Sequence, residues 1–135
     1  MIAREVVVAF VEAINRGDAE GIAGLMASDH LLIDSLGCEI HGRDAMRQGW
    51  VGYFKIVPDY KIEVEETVVN GQTVILLGHA GGRYSFDGTL DPANYWKVPA
   101  AWRAVVEDDR VAVWQVFADN EPIRRIMRRY GRETD

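Results

Sequence analysis

The chain has 135 residues, of which 48% are hydrophobic and 27% are charged, and its formal net charge at pH 7 is −6. This composition excludes a disordered chain, because enough apolar side chains are present to form a core, and the length predicts one domain over residues 1–135. No apolar run approaches the ~20 residues of a membrane-spanning helix, and the acidic balance argues against a nucleic-acid partner, which needs a concentrated positive surface.

The first predicted element is a helix. Val7, Phe10, Val11 and Ile14 recur at positions i, i+3, i+4 and i+7, which places them on one apolar face. The segment 15–18 (NRGD) ends this helix and starts another, because glycine closes helices in the left-handed conformation and aspartate caps the next. A short second helix is therefore predicted to end at residues 28–29.

Two short extended pieces, residues 30–36 and 38–41, come next, and a third helix is predicted from Gly42 to the residue before Pro58. Gly49 and Gly52 weaken that helix by about 1 kcal/mol each relative to alanine. Their presence predicts that another backbone passes close by. The inward face of the helix is predicted to carry Met46, Trp50, Tyr53, Phe54 and Val57.

From residue 60 onwards the pattern indicates strands. Residues 60–69 are extended and rich in β-branched side chains, and the dipeptide 70–71 (NG) predicts a type I′ hairpin turn. A return strand over 72–85 has a bulge or a bend predicted at Gly81-Gly82. After a loop at 86–95, strands at 96–106 and 111–118 are joined by a tight turn at 107–110, and an arginine-rich helix follows.

Three helices followed by four main antiparallel strands predict an α+β fold, a curved antiparallel sheet with helices packed on one face. A bent sheet covered in this way encloses a cone-shaped pocket of the kind that binds small molecules.

The residues then show a family resemblance. The stretch FVEAINRGDAEGIAGLMASD (10–29), DSLG (34–37), IHGRDA (40–45) and WQVFADNEP (114–122) resemble the SnoaL-like and ketosteroid isomerase-like group of the nuclear transport factor 2-like superfamily. The resemblance covers nearly the whole chain and implies a cystatin-like roll. It does not fix a reaction, because this fold carries many activities.

Carried over residue by residue, the resemblance places Asp34 at the proton-shuttling aspartate of ketosteroid isomerases. The positions of the two oxyanion donors correspond to Phe10 and Ala101, which cannot donate from their side chains. Loss of one such donor costs about 10²–10³ in rate, so steroid isomerisation is not expected. An Asp-Arg-Asp relay of the limonene epoxide hydrolase kind, through Asp34, Arg103 and Asp119, lacks the required Arg-x-Asp strand pattern, because Ala104 and Val105 follow Arg103.

Asp34 and His79 are the predicted catalytic residues, with His79 orienting the carboxylate. Strand alternation alone leaves open whether Asp34 faces the pocket or solvent. For His79 a buried histidine hydrogen-bonded to a neighbouring strand or to a carboxylate competes with the role of acid/base partner. Aromatic side chains are predicted either to fill the core or to line the pocket, and the predicted substrate-binding residues are Phe10, Trp50, Tyr53, Phe54, Tyr84, Trp102, Trp114 and Asp119.

The last fifteen residues carry an arginine stripe, Arg124, Arg125, Arg128 and Arg129, which is interpreted as a solvated or anchoring face, with a phosphate-binding patch as the alternative. Tyr95 and Trp96 are predicted at the pocket mouth.

The resulting hypothesis is a SnoaL-like domain that binds an apolar small molecule and acts as an isomerase, cyclase or dehydratase. The alternative is a non-catalytic ligand-binding or dimerisation module of the same fold.

No cofactor is implied, and no metal site is expected, because the three histidines lack ligand spacing. We expect a homodimer without membrane or nucleic-acid partners. A lone Cys38 and the lack of a signal-like leader predict a cytoplasmic location.

Overall fold

The computed structural model describes residues 2–132. The helices of this part of the chain are α1 (Ala3–Asn15), α2 (Ala19–Gly24), α3 (Arg43–Ile56) and α4 (Glu121–Arg128), with a short 3-10 turn at Pro92–Asn94. The strands are β1 (Met26–Ile33), β2 (Glu39–His41), β3 (Lys61–Asn70), β4 (Thr73–Arg83), β5 (Tyr95–Glu107) and β6 (Arg110–Ala118).

These strands form one sheet in the order β2-β1-β6-β5-β4-β3. Neighbouring strands are antiparallel except β1 and β6, which run parallel. The sheet is curved and does not close on itself, and the predicted α+β class is confirmed. The two extended pieces predicted between the second and third helices are β1 and β2, and β1 begins four residues earlier than predicted.

Alternation gives the sheet an inner face and an outer face. The inner face carries Val74 and Leu76 of β4, which are buried, and it is covered by α1, which packs against β3, β4, β5 and β6. The outer face carries Leu77, which is 38% exposed, and it has no covering element in residues 2–132. The hydrophobic core therefore lies on one side of the sheet only.

The turn between α1 and α2 forms as predicted. Gly17 has a φ of +66°, the left-handed conformation that ends a helix. A side-chain oxygen of Asp18 accepts a hydrogen bond from the backbone N–H of Gly21 over 2.9 Å, which caps α2.

The second helix is shorter than predicted. It ends at Gly24, and Met26 already belongs to β1, where it pairs with Val111 of β6. Residues 28–29 therefore lie within a strand, so the predicted helix end was wrong. The reason is tertiary: the backbone partner that makes this segment extended comes from the other end of the chain.

Both predicted hairpins form, but the type I′ turn lies in the other one. In the β3–β4 hairpin Asn70 pairs with Thr73, and of the two residues between them only Gly71 has a positive φ, +62°, the pattern of a type II′ turn. In the β5–β6 hairpin Asp108 and Asp109 have φ values of +49° and +60°, as a type I′ turn requires.

Of the two alternatives predicted at Gly81-Gly82, the bulge does not form. Pairing with β5 continues without a shift through these glycines, and the irregularity lies in β3 between Val64 and Glu66. A Cβ added to Gly78 would stand 1.8 Å from the carbonyl oxygen of Glu63. The bulged strand thus passes directly against Gly78, which explains why β4 has a glycine there.

The glycines of α3 have a different explanation from the one predicted. A Cβ on Gly49 would be 3.4 Å from the side chain of Met46, and one on Gly52 would meet no described atom within 4 Å. No neighbouring backbone of the described residues requires either glycine. Gly49 instead lines the cavity described next.

Candidate functional site

A cavity of about 250 Å³ opens between α3 and the inner face of the sheet. Ligand pockets usually measure roughly 300–1,000 Å³, so this volume suits a compact molecule. The apolar lining residues outside the aromatic wall come from β1, β2, α3, β4 and β6 and are Leu32, Ile40, Met46, Ala80, Val116 and Ala118.

Four aromatic side chains line the same cavity and form what we call the aromatic wall: Trp50, Tyr53, Tyr60 and Trp96. The ring centroids of Tyr53 and Tyr60 are 5.0 Å apart and their planes are nearly perpendicular. Those of Tyr60 and Trp96 are 6.2 Å apart. Within the described part of the chain, the buried indole N–H groups of Trp50 and Trp96 have no hydrogen-bond partner.

The two tyrosines of the aromatic wall stay protonated at neutral pH. Burial raises the pKa of both hydroxyls, strongly in each case, because the charged phenolate would lose its hydration. For Tyr53 the neighbouring Tyr60 raises the pKa further. These hydroxyls can form hydrogen bonds to a ligand but are not proton acceptors near pH 7.

Asp34 lies at the polar edge of the cavity, which we define as Asp34, Ser35 and Asn120. In the second half of β1, His30 and Leu32 point inward, since His30 is fully buried and Leu32 lines the cavity. Asp34 follows the same alternation just after the strand ends. One of its oxygens, Oδ1, accepts hydrogen bonds of 2.9 Å from the backbone N–H groups of Leu36 and Cys38.

The second carboxylate oxygen of Asp34 accepts no hydrogen bond from residues 2–132, and Asp34 forms no ion pair with them. The lining residues include no lysine, arginine or histidine in this part of the chain. The cavity thus combines apolar and aromatic surface with one uncompensated carboxylate.

Of the residues predicted to bind substrate, the structure brings Trp50 and Tyr53 to this cavity together with Asp34. Three other predicted residues are nearly inaccessible and pack on one another in the core between α1 and the sheet: Phe10, Trp102 and Trp114. The ring centroids of Phe10 and Trp114 are 4.9 Å apart. They support the inner face of the sheet and do not line the cavity.

The remaining predicted contacts also lie outside the cavity lining. The ring of Phe54 stacks on that of Trp50, with 5.5 Å between the ring centroids. The ring of Tyr84 packs on that of Tyr130, with 5.6 Å between the centroids. Asp119 has a largely exposed side chain that accepts a hydrogen bond from the N–H of Glu121 at the start of α4. Its carboxylate therefore serves the strand-to-helix junction.

His79 is not brought near Asp34. It lies on the outer face of β4, where its Nδ1 is 2.5 Å from a carboxylate oxygen of Glu65 in the bulged part of β3. The cavity is on the inner face, so the sheet separates the two residues and the predicted pairing of His79 with Asp34 does not form.

Sequence reasoning missed Tyr60 and Asn120 as lining residues. Tyr60 precedes β3 and is buried, and alternation from the buried Ile62 would have placed it inward. Trp96 lines the cavity, as its predicted place at the mouth suggested, whereas Tyr95 lies on the outer face and is 56% exposed.

Two arginines of α4, Arg124 and Arg128, are engaged in local ion pairs. Arg128 pairs with Glu121, and Arg124 lies 3.9 Å from carboxylate oxygens of both Asp119 and Glu121. This arrangement agrees with an anchoring role.

Residues 2–132 contain no cluster of three or more metal-ligating side chains. No helix among them is both long and apolar enough to cross a bilayer.

A family model described as SnoaL-like domain matches residues 7–114, which confirms the resemblance predicted from the sequence. No curated protein matches the chain. A ketosteroid isomerase-like protein from Catenulispora acidiphila has a TM-score of 0.77 at 16% identity, with 90% of each chain covered. A candidate SnoaL-like polyketide cyclase from Jannaschia has a TM-score of 0.74 at 17% identity, covering 87% of this chain and 85% of its own. At these identities the likeness is one of fold.

Proposed function

Because this chain belongs to the SnoaL-like domain family, we propose that its cavity binds a compact, mostly apolar ligand and that Asp34 exchanges a proton with it. The reaction would be of the isomerase, cyclase or dehydratase type. One observation carries the proposal: Asp34 is the only carboxylate among the described lining residues, and no cation neutralises it there. The tyrosine hydroxyls beside it hold their own protons at neutral pH because burial raises their pKa values.

The proposed step needs no redox partner. The free oxygen of the Asp34 carboxylate takes a proton from a C–H bond of the ligand, and the electron pair of that bond stays on the ligand. Return of the same proton to another atom gives an isomer, whereas loss of a leaving group gives an elimination product. General base catalysis of this kind contributes about 10²–10⁴ in rate.

Deuterium exchange tests the proposal without knowledge of the natural substrate. Wild-type protein would be incubated in D₂O with compact β,γ-unsaturated ketones and β-hydroxy ketones, and deuterium uptake at carbon followed by NMR. Catalysed uptake that falls by about 10² or more in Asp34→Asn is the expected result. Asp119→Asn, a matched change outside the cavity, keeps the wild-type rate. Equal uptake in wild type and Asp34→Asn would exclude Asp34 as the proton carrier.

A non-catalytic binding module is the second candidate, and one observation favours it. Oδ1 of Asp34 already accepts two backbone hydrogen bonds that hold the β1–β2 turn. If that is its whole role, ligands bind the cavity but no substrate exchanges deuterium. The structural neighbour from Catenulispora acidiphila is in complex with trimethylamine, which supports the binding of a compact ligand in this fold.

We further propose that the outer face of the sheet forms a homodimer interface. Leu77 and Phe117 are 38% and 50% exposed there, and Ala101 lies between them on β5. Contiguous apolar surface on a sheet face marks an interaction site in many proteins.

A further inference from the structure

The aromatic wall supplies four of the side chains that line the cavity. Three of its rings are nearly buried, with exposed fractions of 7% for Trp50, 8% for Tyr60 and 4% for Trp96. The ring centroid of Tyr60 lies 6.3 Å from that of Trp50 and 6.2 Å from that of Trp96. The faces of such rings carry partial negative charge, and they attract cations within about 6 Å of the ring centroid.

The charge that the described lining residues contribute to the cavity is negative only. Asp34 contributes a carboxylate with one oxygen unoccupied, and the described lining residues include no basic side chain. A ligand anion would meet this carboxylate with nothing to neutralise it. A ligand cation would gain both an ion pair and contact with aromatic rings.

We propose that the ligand of this cavity is a compact organic cation, of the alkylammonium class, whose alkyl groups contact the aromatic wall and whose charge is compensated by Asp34. This inference rests on the proposed function and names its ligand class. The two are chemically compatible, because a positive charge beside a C–H bond makes that bond more acidic and so assists proton transfer to a carboxylate.

Three probes of similar shape test the sign of the charge. They are choline, its neutral isostere with a quaternary carbon in place of nitrogen, and pivalate as the anion. Binding is followed by NMR of the indole N–H signals. Trp50 and Trp96 line the cavity, whereas Trp102 and Trp114 in the core provide internal references.

The expected result is that choline binds about tenfold more tightly than its isostere and that pivalate binds most weakly. The shifts should be confined to the signals of Trp50 and Trp96. Asp34→Asn retains a side-chain oxygen for the turn, and it should weaken choline binding by about three- to tenfold while leaving the isostere unchanged. Asp119→Asn removes the same charge outside the cavity and should change neither.

Equal or tighter binding of the isostere, or any preference for pivalate, overturns the inference. So does a choline preference that Asp34→Asn leaves intact. The comparison of the three probes in wild type needs no variant, so it stands even if Asp34→Asn fails to fold. Binding of the neutral isostere at Trp50 and Trp96 would leave the proposed function standing, because deuterium exchange tests that function separately.

Discussion

The side-chain amide of Asn120 donates a hydrogen bond of 2.9 Å to the hydroxyl of Ser35. This bond joins the β1–β2 turn, which carries Asp34, to the start of α4, and both residues line the cavity. The position of the carboxylate is therefore tied to the C-terminal part of the described chain.

We predict that Asn120→Ala and Ser35→Ala each lower the free energy of unfolding by about 0.5–1.5 kcal/mol, the net value of one hydrogen bond. The double variant should cost little more than the worse single variant, because both remove the same bond. Urea denaturation of the four proteins measures this coupling. Fully additive effects would show that the bond contributes nothing in solution.

A second prediction concerns His30, which is buried with its Nδ1–H donating to the carbonyl of Val111 over 2.7 Å. Its Nε2 has no partner among residues 2–132. Burial lowers the pKa of His30 below its ordinary 6.5, although the bond to Val111 and the nearby Asp29 oppose this shift.

As the pH falls through 6.5, the imidazole of His30 is protonated in the unfolded chain before it is protonated in the folded protein. The free energy of unfolding therefore decreases below pH 6.5, until His30 is protonated in the folded protein as well. Above that range the stability contribution is constant. Urea denaturation from pH 8 to 5 should show the decline, with the same decline in His41→Gln, whose ring is exposed. An NMR titration midpoint for His30 above 6.5 would contradict the prediction.

Substitution by alanine is expected to change the free energy of unfolding in opposite directions at Gly52 and Gly78. Gly52→Ala removes a helix-interior glycine whose Cβ would meet open space, so it should raise the free energy of unfolding by about 1 kcal/mol. Gly78→Ala forces a Cβ onto the carbonyl of Glu63 and should lower it by about 1–3 kcal/mol or prevent folding. Thermal denaturation ranks them, and a stable Gly78→Ala protein would refute the close approach.

The proposed dimer gives a fourth prediction. Phe117→Lys places a charge at the centre of the outer face and should convert the dimer to a monomer in sedimentation velocity experiments. Val8→Lys, at an exposed apolar position of α1 on the opposite side, should leave the assembly unchanged. A wild-type monomer at all concentrations would exclude the interface.

Much of this fold is readable from local pattern, because periodicity and turn residues suffice for α1, α3 and the two hairpins. The strand β1 is different, since Met26 becomes extended only by pairing with Val111. No local signal reports a partner so far along the chain.

The site was only partly predictable for related reasons. Asp34 could be chosen from its apolar surroundings and its family position, but its direction depends on the alternation of β1. The run Val74–Leu77 is apolar throughout, so the inward positions of β4 were ambiguous and His79 could not be assigned to a face. Alternation from Ile62 places Tyr60 inward, but its contact with Trp96 of a distant strand has no local signal.

The parallel pairing of β1 with β6 also constrains how the protein is made. On the ribosome, residues 26–33 emerge long before residues 110–118, so β1 must wait for its neighbour while the intervening chain is synthesised. Contacts of such wide sequence separation slow folding. During that wait β2 can pair with only one edge of Leu31 to Ile33, so the edge that later meets β6 stays open, and chaperone capture or aggregation of nascent chains should concentrate there.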